Sequence, residues 1–218
     1  MRASLAEKDG RLRFPGVRAP APLLSAEAER KLSPRQLALL DALEEEVRRG
    51  GVADLTMAQL AARVSCSLRT LYGIAPSKEE LLLTVVDRRL RRIGRAAVQA
   101  LDGSMKPLDA LRTYLRAANE AVQPESVALS SDLVQVAGAA RLVSAHEGYL
   151  IAVTQSLLER AVEEGQIAPV DTAAVAHVLG SLGREFSQPE VAETVHASPK
   201  ETADALTDLL LAGLRAKR

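Results

Sequence analysis

Apolar residues recur at helical spacing along most of this chain, and cap residues punctuate the pattern. Leu37, Leu40, Leu43 and Val47 form one stripe. Ser33, Pro34 and Gln36 open it as a capping box with proline in the first turn, and Arg48, Arg49, Gly50 and Gly51 stop it. Thr56 and Gln59 form a second box ahead of Leu60, Ala61 and Val64, predicting a short helix from Met57 to Val64. Ser65, Cys66 and Ser67 make a polar break. Ser67 then caps another short helix carrying Leu68, Arg69, Thr70, Leu71 and Tyr72, with Leu68 and Leu71 set to face the preceding helix. Pro76 and Ser77 interrupt the chain, and Ser77 with Glu80 opens a long helix bearing Leu81, Leu82, Val85, Val86, Leu90 and Ile93. At ~1.5 Å per residue a helix reaching Leu101 spans roughly 35 Å, enough to join two domains.

Asp102, Gly103 and Pro107 mark a boundary. Beyond it the pattern predicts helices over 107–122, 125–138, 141–164, 171–187 and 199–216. They are separated by Pro124, Gly138, Gly165 with Pro169, Pro189, and the cap Ser198-Pro199-Lys200-Glu201. No run of alternating Val, Ile and Thr competes with this reading, so the fold class is all-α.

Composition narrows the core chemistry. Hydrophobic residues are 47% of the 218 but aromatics only 2%, so the core is built from Leu, Val and Ala. A single cysteine excludes an intrachain disulfide and a cysteine metal cluster, as expected of a reducing cytoplasm. The start of the chain lacks an apolar signal region, and no stretch reaches the ~18 apolar residues of a membrane span. Cytoplasmic localisation without membrane association is the expectation.

The zero net charge conceals an asymmetry: 18 Lys and Arg against 12 Asp and Glu up to Arg95, then 10 against 16 beyond it. A basic first part attracts phosphate, whereas an acidic remainder is repelled by it. Arg88, Arg89, Arg91, Arg92 and Arg95 add to that attraction or pair with acidic neighbours; the run Glu44 to Glu46 reads as a solvated face. Residues 1–31 mix Arg2, Lys8, Arg11, Arg13 and Arg18 with Gly10, Gly16, Pro15, Pro20 and Pro22. They are expected to form a flexible basic arm through which no helix runs, either a plain leader or a minor-groove arm.

Two short capped helices joined by a tight turn are the geometry of a helix-turn-helix. In its second helix Arg69 is suited to guanine O6 and N7, and the hydroxyls of Ser67, Thr70 and Tyr72 to bases or phosphates. Thr56 sits at the first helix's N-terminus, and Lys78 in the first turn of the long helix, where backbone N–H groups and a cation favour a phosphate. Thr56, Ser67, Arg69, Thr70, Tyr72 and Lys78 are therefore the candidate DNA contacts.

The stretch resembles the DNA-binding domain of the TetR family of bacterial regulators. Leu55-Thr56, Leu60-Ala61, Thr70-Leu71-Tyr72 and Ser77-Lys78-Glu79-Glu80-Leu81 carry the resemblance at the family's spacing. Ser65 stands where the family usually has glycine, so a left-handed backbone there costs roughly 1 kcal/mol unless the turn differs. Ile74 and Ala75 stand where an aromatic or histidine and then phenylalanine are common, removing one phosphate contact and one packing ring.

The resemblance implies an arm over 1–31, a three-helix DNA-binding domain over 32–77, and a helical bundle over 78–218 for ligand binding and dimerisation. The last two helices would pair with their twin through Ala173, Ala174, Val178 and Leu182, and through Ala205, Leu206, Leu209, Leu210 and Leu214. A homodimer also follows from the motif, since one helix-turn-helix reads one half-site.

The resemblance further implies a small-molecule effector that releases double-stranded DNA by preferring one conformer. Arg112, Tyr114, Arg141, His146, Tyr149 and His177 are the candidate ligand contacts, each equally able to serve as a satisfied structural residue. His146 and Tyr149, three apart on one helix face, are the pair to test first. Scarce aromatics favour a small or aliphatic effector.

An enzyme finds no support: there is no glycine-rich phosphate loop, no GxSxG elbow and no metal-ligand spacing, and no cofactor is implied. Cys66 reads as a small apolar filler rather than a redox sensor. The expectation is a ligand-responsive DNA-binding transcriptional regulator of repressor type on a palindromic operator. A helical adaptor whose motif has drifted from DNA binding is the alternative.

Overall fold

The computed structural model describes residues 12–122 and 135–215. Its α-helices are α1 (Ala26–Lys31), α2 (Pro34–Arg49), α3 (Met57–Arg63), α4 (Leu68–Tyr72), α5 (Lys78–Gln99), α6 (Pro107–Ala118), α7 (Ala139–Glu163), α8 (Thr172–Phe186), α9 (Pro189–Ala192) and α10 (Pro199–Leu214). A 3-10 turn, Asn119–Val122, follows α6. Among the described residues there is no strand, only an isolated antiparallel bridge between Ile167 and Arg215, so the fold is all-α. Most of the helix expected over 125–138 lies outside the described residues; its last four, 135–138, form a turn ending at Gly138 with φ 83°.

The chain divides into two compact units. The N-terminal unit holds residues 21–92 and 135–144; the C-terminal unit holds 12–20, 93–122 and 145–215. The N-terminal unit thus continues beyond residue 77, because Leu81, Leu82, Val85 and Val86 of α5 share its core with Leu40, Leu43, Val47, Leu60, Ala61 and Leu71.

Local chemistry places its helices. Ser33 Oγ accepts the Gln36 N–H and the Gln36 side chain accepts the Ser33 N–H, with Pro34 in the first turn. Gly50 and Gly51 take φ values of 80° and 73°, which end α2 as only glycine does without strain. The acidic run is not simply solvated: Glu44 is buried and pairs with Arg92, while Glu46 pairs with Arg49 and Arg63. Arg88 likewise meets Asp41 and Glu29. Apart from the local Glu46–Arg49 pair, these partners lie 17 to 59 residues apart in sequence.

Residues 1–11 of the expected arm lie outside the described residues, and over 12–31 the expectation is corrected. Ser25 Oγ accepts the Ala28 N–H and starts α1, and the Leu23 N–H donates to buried Asp87 at 3.0 Å. Leu12 is buried in the C-terminal unit, with Phe14 and Val17 packed beside it. Apolar positions at 12, 14 and 17 and a cap at 25 outweigh the proline and arginine content.

In the C-terminal unit Leu108, Leu111, Tyr114 and Leu115 of α6 pack with Val153, Leu157 and Leu158 of α7, Ala176 and Leu179 of α8 and Leu211 of α10. A Cβ on Gly180 would lie 2.6 Å from Ile151 Cγ1, so the glycine sets the approach of α7 and α8. Asp208 ties α10 to α6, accepting from Arg112 Nε at 2.8 Å and Arg116 at 2.6 Å. Burial pushes its carboxyl up, but the two arginines outweigh this and hold it below the usual range.

Candidate nucleic-acid interface

The helix-turn-helix comprises α3, a turn over 64–67 and α4. Thr56 and Gln59 form the reciprocal capping box that starts α3, with the Thr56 N–H donating to Gln59 Oε1 at 2.8 Å. At the far end the Ser65 N–H reaches the Ala62 carbonyl and the Cys66 N–H the Ala61 carbonyl. This reversal puts Ser65 at φ 52°, the one left-handed position held by a residue other than glycine among those described. A side chain there costs about 1–2 kcal/mol, part of which glycine would return to the unfolded chain as entropy. Ser65→Gly is therefore expected to stabilise the unit by about 0.5–1 kcal/mol. Urea denaturation checks it; an unchanged or lower midpoint would show that Ser65 carries no strain.

Ser67 caps α4: its Oγ accepts the Thr70 N–H at 3.1 Å and lies 2.7 Å from Thr70 Oγ1. Leu71 is fully buried and is the only buried residue of α4. Leu68 departs from expectation, standing 40% exposed where Leu71 is buried. Tyr72 is 51% exposed, Ser67, Arg69 and Thr56 are exposed, and Thr70 is half-buried. The outer surface of the motif thus carries a cation, hydroxyls and two large apolar groups.

Lys78 is half-buried at the start of α5, its Nζ donating to the Ala53 carbonyl. Ser77 Oγ accepts the Glu80 N–H at 3.1 Å, the expected cap. Arg35, in the first turn of α2, is a group the sequence reading missed: it is exposed, and its charge acts on the Cys66 thiol in the turn. Its only sequence signal is its place beside the Ser33 cap. Burial is the larger influence on Cys66 and raises its thiol above the ordinary range, which suits a packed filler. Ile74 is half-buried and Ala75 buried against the unit's core, so these departures are accommodated by packing.

The candidate ligand residues are not all brought together. Arg141 is exposed and belongs to the N-terminal unit, while the other five lie in the C-terminal unit. There His177 is exposed and Arg112 is engaged by Asp208 and Asp109. His146 and Tyr149 are half-buried on α7. Tyr114 is buried; desolvation raises its hydroxyl well above the ordinary tyrosine range, with a smaller contribution from Tyr149 nearby. Thr154 Oγ1 and Thr207 Oγ1 are buried in the same unit without a hydrogen-bond partner among the described residues, an arrangement uncommon in protein interiors.

α8 and α10 pack together and turn apolar residues outward. Val178 is 49% and Leu209 66% exposed, and Ala173, Ala174, Ala205 and Ala212 are exposed around them. No helix among the described residues is long and apolar enough to cross a membrane.

No family sequence profile matches the chain, and no curated protein matches it in sequence. Its fold has clear counterparts among solved structures. A TetR transcription regulator from Haloarcula marismortui superposes with a TM-score of 0.70 at 17% identity, over 85% of this chain and 100% of that one. The TetR family transcriptional regulator PfmR from Thermus thermophilus gives 0.59 at 24% identity, over 82% of this chain and 99% of its own. A TetR family regulator from Agrobacterium tumefaciens gives 0.65 at 18% identity, over 83% and 100%. With a capped helix-turn-helix, a long α5 and a helical C-terminal unit, the chain has the fold of the TetR-family transcriptional regulators.

Proposed function

We propose that the protein is a DNA-binding transcriptional regulator, a repressor that holds a palindromic operator as a homodimer and releases it when a small molecule binds the C-terminal unit. The observation that carries this reading is the outer surface of α4. A five-residue helix fixed by one buried leucine presents Arg69, Ser67 and Tyr72 outward, next to the exposed Thr56 cap. Arg69 supplies the fork that pairs with a guanine edge, and the hydroxyls and Lys78 supply phosphate contacts. Arg35 joins them as a phosphate contact from α2. The structural counterparts bear the name of transcription regulators, which agrees with this assignment.

The exposed apolar faces of α8 and α10 support pairing with a second copy, and two half-sites about 34–36 Å apart need two motifs. For the effector, the unpartnered hydroxyls of Thr154 and Thr207 and the adjoining pair Tyr114 and Tyr149 favour a small, largely aliphatic molecule with one polar end. Against the adaptor alternative, Ile74 and Ala75 fill the core rather than leave a gap, while the phosphate contact they remove is what duplex binding tests.

The test is recovery of genomic duplexes by the purified protein at two salt concentrations with nonspecific competitor. One or a few palindromic sites are expected. Arg69→Ala should relax sequence preference, whereas Lys78→Ala should weaken all sequences alike and lower the salt slope by about 1. Uniform loss in both variants would remove Arg69 from base reading, and no selective recovery at either salt would remove the regulator.

A further inference from the structure

Leu68 is an apolar residue placed on the surface that the proposed function gives to DNA. It opens α4, directly after the Ser67 cap, and stands 40% exposed while Leu71 three residues on is fully buried. Tyr72 lies one helical turn further along, at the spacing that puts two side chains on one ridge, and is itself 51% exposed. Two large side chains with apolar bodies are thus exposed along one ridge of a helix only five residues long.

The surroundings specify what can cover such a ridge. Arg69 beside it and Arg35 near the turn are exposed cations that carry no ion pair among the described residues, and Ser67 and Thr56 add hydroxyls. A partner complementary to this surface combines negative charge with a small apolar group. B-DNA meets both conditions, and the apolar group that its major groove offers on a base edge is the 5-methyl of thymine. The first residues of the second helix in a helix-turn-helix are those that reach base edges.

We infer that Leu68 is a specificity-determining residue that packs on a thymine 5-methyl group in each operator half-site, next to the guanine read by Arg69. The inference rests on the DNA-binding reading above and adds to it a base that hydrogen bonding does not specify. Burying the leucine against the methyl removes both from water, and a cytosine or a demethylated base at that position forfeits the contact.

The experiment uses the full chain and an operator recovered by selection from random-sequence duplexes. Each thymine of that site is replaced in turn by deoxyuridine, which deletes the methyl and leaves Watson–Crick pairing intact. Wild-type protein should lose about fourfold in affinity at one thymine per half-site, the equivalent of about 0.8 kcal/mol for one buried methyl. Leu68→Ala should bind the unmodified operator more weakly and lose its sensitivity to that same deoxyuridine, while Leu68→Met retains it. Because Leu68 is absent from the buried core, both variants should stay folded, with Leu68→Ala unfolding within about 1 kcal/mol of wild type. If wild type selects an operator but every deoxyuridine affects wild type and Leu68→Ala equally, the role of Leu68 is overturned while the regulator stands. If wild type selects no duplex, the regulator reading and this inference fall together.

Discussion

Leu71→Ala should destabilise the N-terminal unit by about 3 kcal/mol and abolish sequence-selective DNA binding, although Leu71 itself touches no DNA in the proposed complex. A helix of five residues has no independent stability in water, because nucleation alone opposes it. The Ser67 cap contributes about 1 kcal/mol, and the remaining hold on α4 is its single buried side chain. Removing that side chain deletes buried methyl groups and leaves a cavity in the core that α4 shares with α2, α3 and α5, for which core Leu→Ala changes cost about 2–5 kcal/mol. The orientation of Arg69, Leu68 and Tyr72 is lost with it. Thermal unfolding and duplex binding measure the two effects separately. A variant that melts within about 1 kcal/mol of wild type and still selects its operator would show that the cap, not the leucine, fixes the helix.

Leu209→Asp should raise the dissociation constant of the homodimer by about a thousandfold or more and reduce operator affinity with it. Leu209 is 66% exposed in the single chain, so the change leaves the monomer's core intact. In the proposed dimer it becomes buried, and the two-fold axis introduces the aspartate twice. An unpaired buried charge costs about 3–5 kcal/mol, and a thousandfold corresponds to about 4 kcal/mol. Sedimentation across a concentration series reads the dimer directly. Dimers of undiminished strength would exclude the outer face of α10 from the interface, and the paired half-site model would need another contact surface.

What the linear sequence disclosed was mainly local. The boxes at Ser33 and Thr56 and the cap at Ser67 depend on residues within four positions of one another, and each lies where the letters place it; the left-handed backbone at Ser65 is one of two alternatives that the resemblance leaves open. Side-chain direction in α4 was less legible. Leu68 and Leu71 are three apart and both suit an inward face, and five residues contain too little periodicity to decide which turns in. Only the place of Leu71 in the core shared with α2, α3 and α5 settles it.

Long-range pairing was illegible for a different reason. Nothing near Glu44 announces Arg92, 48 residues away, and nothing near Arg112 announces Asp208, 96 residues away. A charged residue read alone therefore gives no sign of its partner. The first stretch misled through composition: Pro and Arg content hid Leu12, Phe14 and Val17, whose spacing fits no regular element but whose side chains find a core. Residue type marks polar candidates for an effector, but type alone does not place Arg141 and Tyr114 in different units.

The aromatic poverty of the chain has an optical consequence. Without tryptophan, tyrosine emission is unmasked, and the chain has three tyrosines. The N-terminal unit contains Tyr72 alone, solvent-facing on the ridge of α4, while Tyr114 and Tyr149 lie in the C-terminal unit, the first buried and the second half-buried. Each unit thus carries its own intrinsic chromophore in a distinct environment. Replacing Tyr72 by phenylalanine leaves a spectrum that reports the C-terminal unit alone, and the difference from wild type is the signal of the surface proposed to meet DNA.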